Sequence, residues 1–173
     1  MIKGNTDPKS KLFINGKNIK ISKEGYFVFG IPRDASQKLK VKIQFKNKIQ
    51  EFEKTVLKRK FKIQKIDGLP KRKVTPNAED MIKIRKEGRL ISLAKNKNSN
   101  LLSEKNLFFT GGTIIIDHGH GVITIYSHLN EIFVKKGDLV KRGERIGTVG
   151  STGRSTGPHL DFRIYCNSVP VDP

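Results

Sequence analysis

Residues 12–63 carry short apolar stretches, some alternating with polar positions, and read as strands. Leu39, Val41, Ile43 and Phe45 alternate with Lys38, Lys40, Lys42 and Gln44. That period places one set on the buried face of a half-buried strand and leaves the lysines in water. Phe13 and Ile14 precede Asn15-Gly16, with Ile19 and Ile21 on the far side. Both positions of such a two-residue turn need positive φ, so the pair predicts a hairpin. Phe61 and Ile63 continue the pattern, which Asp67-Gly68-Leu69-Pro70 and Lys71-Arg72-Lys73 then break. A boundary near residue 64 follows.

The next pattern has helical spacing. Thr75-Pro76 supplies a cap and a first-turn proline, and Met81, Ile84, Ile91 and Ala94 recur behind it. Gly88 weakens the middle by about 1 kcal/mol relative to Ala. The helix is expected to end near Asn96, where Asn96-Lys97-Asn98-Ser99-Asn100 is polar and rich in turn residues. It reads as a connector between two β units.

From Phe108 onward the texture changes. Thr113–Asp117 is a β-branched run, Gly119-His120-Gly121 a tight turn and Val122–Tyr126 a second strand, together a hairpin. Val134 to Gly150 sets glycines between short apolar pieces, which suits sharp turns in an antiparallel sandwich or barrel. A last strand, His159–Tyr165, follows the glycine-rich loop 150–157. The expected fold is therefore mainly β. A small basic β module spans 1–64, a linker with one helix spans 65–106, and a partial antiparallel β core spans 107–173.

Composition changes the picture in one respect. The 173 residues carry 35 Lys and Arg against 16 Asp and Glu, a formal charge of +19. The excess is +11 over residues 1–60, +7 over 61–107 and only +1 over 108–173. Such a field attracts polyanions: nucleic acid, anionic headgroups or acidic wall polymers. Lys supplies 26 of the 35 cations, whereas phosphate and base recognition leans on Arg forks, so nucleic acid is not the expected partner. A solvated surface explains the same lysines without any ligand. The length excludes a large multi-domain enzyme. No apolar run approaches the roughly 20 residues of a spanning helix, so no membrane span is expected. Met1–Pro8 lacks the apolar stretch of a secretory signal, which leaves an internal protein or a missing start. The lone Cys166 excludes an intrachain disulfide and a cysteine metal cluster.

All four histidines, His118, His120, His128 and His159, fall in the near-neutral third. His159 and Asp161 sit two apart on a predicted strand, so an imidazole and a carboxylate share a face, half of a zinc or general-base site. A second reading pairs Asp161 with Arg163 or with a histidine. His118 and His120 lie among glycines and read as turn residues. His128 closes the strand that begins at Val122 and is placed to reach the 150–157 loop.

Several ordered motifs carry a resemblance: Gly111-Gly112-Thr113 through Asp117-His118-Gly119, Tyr126-Ser127-His128-Leu129, Val140 to Gly150, and Ser151-Thr152-Gly153-Arg154-Ser155-Thr156-Gly157-Pro158-His159-Leu160. Together they resemble the carboxy-terminal half of a lysostaphin-type (LytM-like) zinc metallopeptidase, over roughly residues 107–173. In that family a His and an Asp from an upstream His-x-x-x-Asp motif, with the second His of a downstream His-x-His, hold one zinc on a β-sheet core. The resemblance implies His128 and His159 as the catalytic histidines that assist the attacking water. It puts Asp161 where the downstream zinc-ligating histidine belongs, a carboxylate that can itself bind Zn²⁺. No histidine precedes His118, so the upstream ligand pair is missing and the chain reads as a family member with its middle deleted. Losing strands beside Thr113–Asp117 is expected to leave an unpaired edge.

The resemblance implies a peptidoglycan metalloendopeptidase, impaired here, with zinc bound weakly or not at all. The alternative is a non-catalytic relative that binds peptidoglycan or a partner hydrolase. A carrier of the biotinyl or lipoyl type is a third class, disfavoured because no lysine sits at a suitable hairpin tip. The amino-terminal module, with Gly25–Gly30 and Lys60–Pro70, resembles the leading β module of exported envelope proteins of this peptidase type. Peptidoglycan or another anionic envelope polymer is the implied partner, and the periplasm or cell envelope the implied location.

Overall fold

In the computed structural model, residues 1–58, 60, 68, 75–96 and 101–173 are described. The chain is mainly β, with antiparallel sheets and, among the described residues, one long helix, as the patterning implies. It divides into two compact units, Met1–Ile63 with His120–Val122 and Ile164–Pro173, and Gln64–Gly119 with Ile123–Arg163.

In the first unit β1 (Ile2–Asn5) pairs with β4 (Tyr26–Phe29). A four-stranded antiparallel sheet runs in the order β3 (Lys17–Ile19), β2 (Lys11–Ile14), β5 (Lys38–Phe45), β6 (Lys48–Thr55). The Asn15-Gly16 hairpin forms as expected, with φ of 48° and 78° at its two turn positions. Asn15 Oδ1 also accepts the Lys40 amide at 2.9 Å, tying the turn to β5. Leu12, Ile14, Ile19, Phe29 and Leu39 form the buried cluster, with Val41 and Ile43 packed against it. Each fully buried aliphatic side chain contributes roughly 1.5–3 kcal/mol. The lysines of β5 face outward, and Lys38 and Lys42 meet Glu53 at 3.0 Å and Glu51 at 2.9 Å on β6. Every residue of β6 is exposed, Ile49 and Phe52 included. Phe61, Ile63 and the 71–73 cluster lie outside the described residues.

Cys166 is fully buried, and burial pushes its thiol above the usual thiol range. A raised pKa leaves less thiolate at any given pH, and thiolate is the nucleophile. Native protein at pH 8 is expected to react with Ellman's reagent at least about tenfold more slowly than urea-unfolded protein. Equal rates in stopped-flow absorbance would contradict the burial.

In the second unit helix α1 spans Ala78–Asn96. Its start differs from the expectation. Asn77, not Thr75, is the cap: its Oδ1 accepts the Asp80 amide at 2.7 Å, and its carbonyl accepts the Met81 amide. Met81, Ile84 and Ile91 are half-buried on one side, as the spacing implies. The helix is more than a connector, because Glu87 on that side is only 4% exposed.

One sheet is ordered β12 (Val169–Val171), β11 (Asp161–Cys166), β9 (Val122–Ile132), β8 (Gly111–Asp117), β7 (Leu101–Leu107), with β10 (Gly147–Val149) also on β9. β8 and β9 are the expected hairpin. β7 corrects the expectation of an unpaired edge: Leu101 through Glu104 pair with Ile116 through Thr113 and cover that side of the Thr113–Asp117 run. The strand expected to begin at His159 starts at Asp161, two residues later than the pattern suggests, and it is followed by β12 and so is not the last. His159 instead makes an isolated bridge with Gly150.

Candidate functional site

The β8–β9 ladder pairs Gly112 with Leu129 but Ile114 with Tyr126, so β9 carries an irregularity between them. His128 sits in it, buried, with φ of +64°. A non-glycine residue adopts this left-handed geometry only where its surroundings fix it. Here the His128 amide donates to Thr110 O at 2.8 Å, and its ring Nδ1 lies 2.8 Å from Thr152 O. A carbonyl can only accept, so Nδ1 carries the proton and Nε2 presents a lone pair.

His159 repeats the arrangement. Its amide donates to Gly150 O at 3.0 Å, and its Nδ1 lies 2.8 Å from Gly157 O and 3.2 Å from Ser155 Oγ. The Gly157 carbonyl again sets the Nδ1–H form. The two rings lie 4.7 Å apart between centroids, tilted by 47°, with His128 buried and His159 exposed. Two imidazoles whose Nδ1–H groups are held by backbone carbonyls therefore stand side by side.

Thr152 holds the loop to the sheet. Its hydroxyl donates to Leu129 O at 2.7 Å and accepts the Gly112 amide at 2.9 Å. The approach is close enough that a Cβ on Gly111 would lie 2.4 Å from the Thr152 carbonyl carbon. Gly111 also has φ of +64°, so glycine is required there on both counts.

Asp161 follows the second reading made from the sequence. Arg163 Nε donates to Asp161 Oδ1 at 2.9 Å and Nη2 to Oδ2. His118 Nε2 meets Thr124 Oγ1 at 2.8 Å, and His120 has φ of +52° in the exposed β8–β9 turn. Both remain turn residues.

The helix contributes two acids that the pattern did not single out. Glu87 accepts the Phe109 amide at 2.8 Å, the Thr110 amide at 2.9 Å and the Thr110 hydroxyl at 2.6 Å. Asp80 accepts from Arg154 Nη1 at 3.0 Å, with side chains 16% and 8% exposed. The available signal was their register: 80, 84, 87 and 91 recur at helical spacing, so both acids share the stripe of Ile84 and Ile91.

A catalytic zinc needs about three protein ligands with an open fourth position. Among the described residues no three His, Cys, Asp or Glu side chains are grouped to hold a metal ion, and both Asp161 oxygens are taken by Arg163. As described, these residues do not form the three-ligand set of a zinc centre.

Residues 98–173 match Peptidase family M23. Over this segment the chain resembles the M23 peptidases, in keeping with the lysostaphin-type resemblance of its motifs. It is 48% identical over 64 residues to the Vibrio cholerae peptidoglycan DD-endopeptidase ShyB, covering 37% of this chain and 15% of that protein. It is 49% identical over 63 residues to the Neisseria meningitidis DD-carboxypeptidase/endopeptidase Mpg, covering 36% of this chain and 14% of that protein. The chain thus spans about 15% of the length of the curated relatives it matches. In fold, the crystal structure of a candidate peptidase M23 from Pseudomonas aeruginosa superimposes with a TM-score of 0.71 at 24% identity, over 98% of this chain and 88% of that one.

Proposed function

We propose that the His128–His159 surface of this M23-type segment binds peptidoglycan stem peptide without cleaving it. One observation carries the reading. Two imidazoles have their Nδ1 protons committed to backbone carbonyls and their Nε2 lone pairs open, while the nearby Asp161 carboxylate is engaged by Arg163. Neutral Nε2 atoms accept hydrogen bonds from peptide N–H or ammonium groups. The resemblance to peptidoglycan endopeptidases supports stem peptide as the ligand class and the cell envelope as the location. Among the described residues no ligand set for the family's zinc is grouped, and zinc binding by this chain is expected to be weak. The basic module 1–64 acts as a wall-anchoring element in this reading, and the chain is organised as module 1–64, helical linker 65–106 and core 107–173.

The test uses the full chain on isolated sacculi. The expected result is salt-sensitive retention, an unchanged muropeptide profile with or without one equivalent of zinc, and no micromolar zinc affinity by calorimetry. His128→Ala and His159→Ala are each expected to weaken binding of a synthetic D-alanyl-D-alanine stem peptide about tenfold, or 1.4 kcal/mol. Cleaved cross-links in the zinc sample would replace this reading with that of a zinc endopeptidase.

A further inference from the structure

We infer that Glu87 on helix α1, acting through Thr110, is a positioning residue for the His128–His159 pair. The inference rests on the proposed function for what the pair does, but not for how the pair is held. Glu87 is a buried carboxylate that accepts three hydrogen bonds, all from the Phe109–Thr110 segment. That segment has only two residues, yet it reaches both halves of the histidine site. The Thr110 carbonyl accepts the His128 amide, and the Phe109 carbonyl accepts the Arg154 amide at 2.9 Å. Arg154 stands two residues after Thr152, whose carbonyl fixes the His128 ring, and next to Ser155, which lies against the His159 ring. The helix therefore grips the piece of chain from which both imidazole supports depart.

The grip is local and directional. Thr113 Oγ1 adds a 2.8 Å contact to Thr110 Oγ1, so the hydroxyls and the carboxylate form a short buried chain. Such a network is rigid when every member is satisfied and yields when one is lost. Asp80 secures Arg154 to the same helix about two turns earlier, which makes α1 the element that sets both ends. His128 needs this support, because a buried histidine at φ +64° returns to an ordinary backbone conformation once its amide loses Thr110 O.

Glu87→Gln is nearly the same size, but its amide nitrogen cannot accept, so at least one Phe109–Thr110 donor loses its partner. Thr110→Val removes the hydroxyl alone. In long-range proton–nitrogen correlation spectra of the full chain, wild-type His128 is expected in the Nδ1–H form. Both variants are expected to shift it toward a tautomer mixture and to weaken stem-peptide binding about fivefold or more. His118, bonded to Thr124 and not to any member of this network, keeps its signals, and Thr110→Ser restores the His128 tautomer. Should Glu87→Gln fail to fold by circular dichroism, the Val and Ser variants of Thr110 carry the test alone. A folded Thr110→Val protein with an unchanged His128 tautomer overturns the inference. Absence of stem-peptide binding by the wild type removes the proposed function instead, and the tautomer ratio still decides this one.

Discussion

Asp80→Asn is expected to lower unfolding stability by about 3–5 kcal/mol, the usual cost of removing one partner from a buried ion pair. Its partner Arg154 is 8% exposed and held at 3.0 Å, and guanidinium keeps its charge at any accessible pH. The substitution removes the Asp80 carboxylate charge that faces that guanidinium inside the unit. Urea denaturation is the measurement, and the midpoint is expected to fall with an unchanged slope. Glu51→Gln supplies the contrast. Its pair with Lys42 is exposed on both sides, and such pairs are worth about 0–1 kcal/mol. Equal effects from the two substitutions would mean that Arg154 is solvated in the folded protein.

Gly111→Ala is the second large effect. The added Cβ would lie 2.4 Å from both the carbonyl carbon and Oγ1 of Thr152 and 2.6 Å from the Gly153 amide nitrogen. Thr152 cannot retreat without releasing Leu129 O, the Gly112 amide and the His128 ring. Overpacking of about 1–3 kcal/mol adds to about 1–2 kcal/mol for a side chain at positive φ. Gly143→Ala separates the two contributions, since Gly143 has φ of +85° and open space around it. Thermal melts are expected to show a much smaller loss for Gly143→Ala. Similar losses at both positions would show that the close approach of Gly111 to Thr152 costs nothing.

What could be read before folding was whatever the chain encodes locally. The Asn15-Gly16 turn, the alternation from Lys38 to Phe45 and the hairpin around Gly119-His120-Gly121 depend on neighbours in sequence, and all three are present. Local competition moved the helix start, because the Asn77 side chain reaches the Asp80 amide and so displaces Thr75 as the cap. β7 was hidden because Ser103, Glu104 and Lys105 dilute its apolar residues. Its pairing with β8, and not its own pattern, makes it a strand. Among the site residues, His128 and His159 were legible as members of ordered motifs. Their side-by-side placement comes from the irregularity in β9 and the 150–157 loop, neither of which has a sequence period. Glu87 and Asp80 escaped notice because an acid on an apolar stripe looks like noise until its partner, here more than 20 residues away, is in view.

The exposed final strand of the four-stranded sheet bears on how the cations of the amino-terminal third should be counted. A bare edge carrying Ile49 and Phe52 invites a second chain to add itself, and Lys48 and Lys54 at its two ends discourage that growth. Lys38 and Lys42 are already matched by glutamates across the ladder. Some of the positive charge there thus serves to keep copies of the chain apart in solution. Neutralising those lysines by acetylation would test that housekeeping role, with fibril formation as its signature, separately from any grip on an acidic polymer.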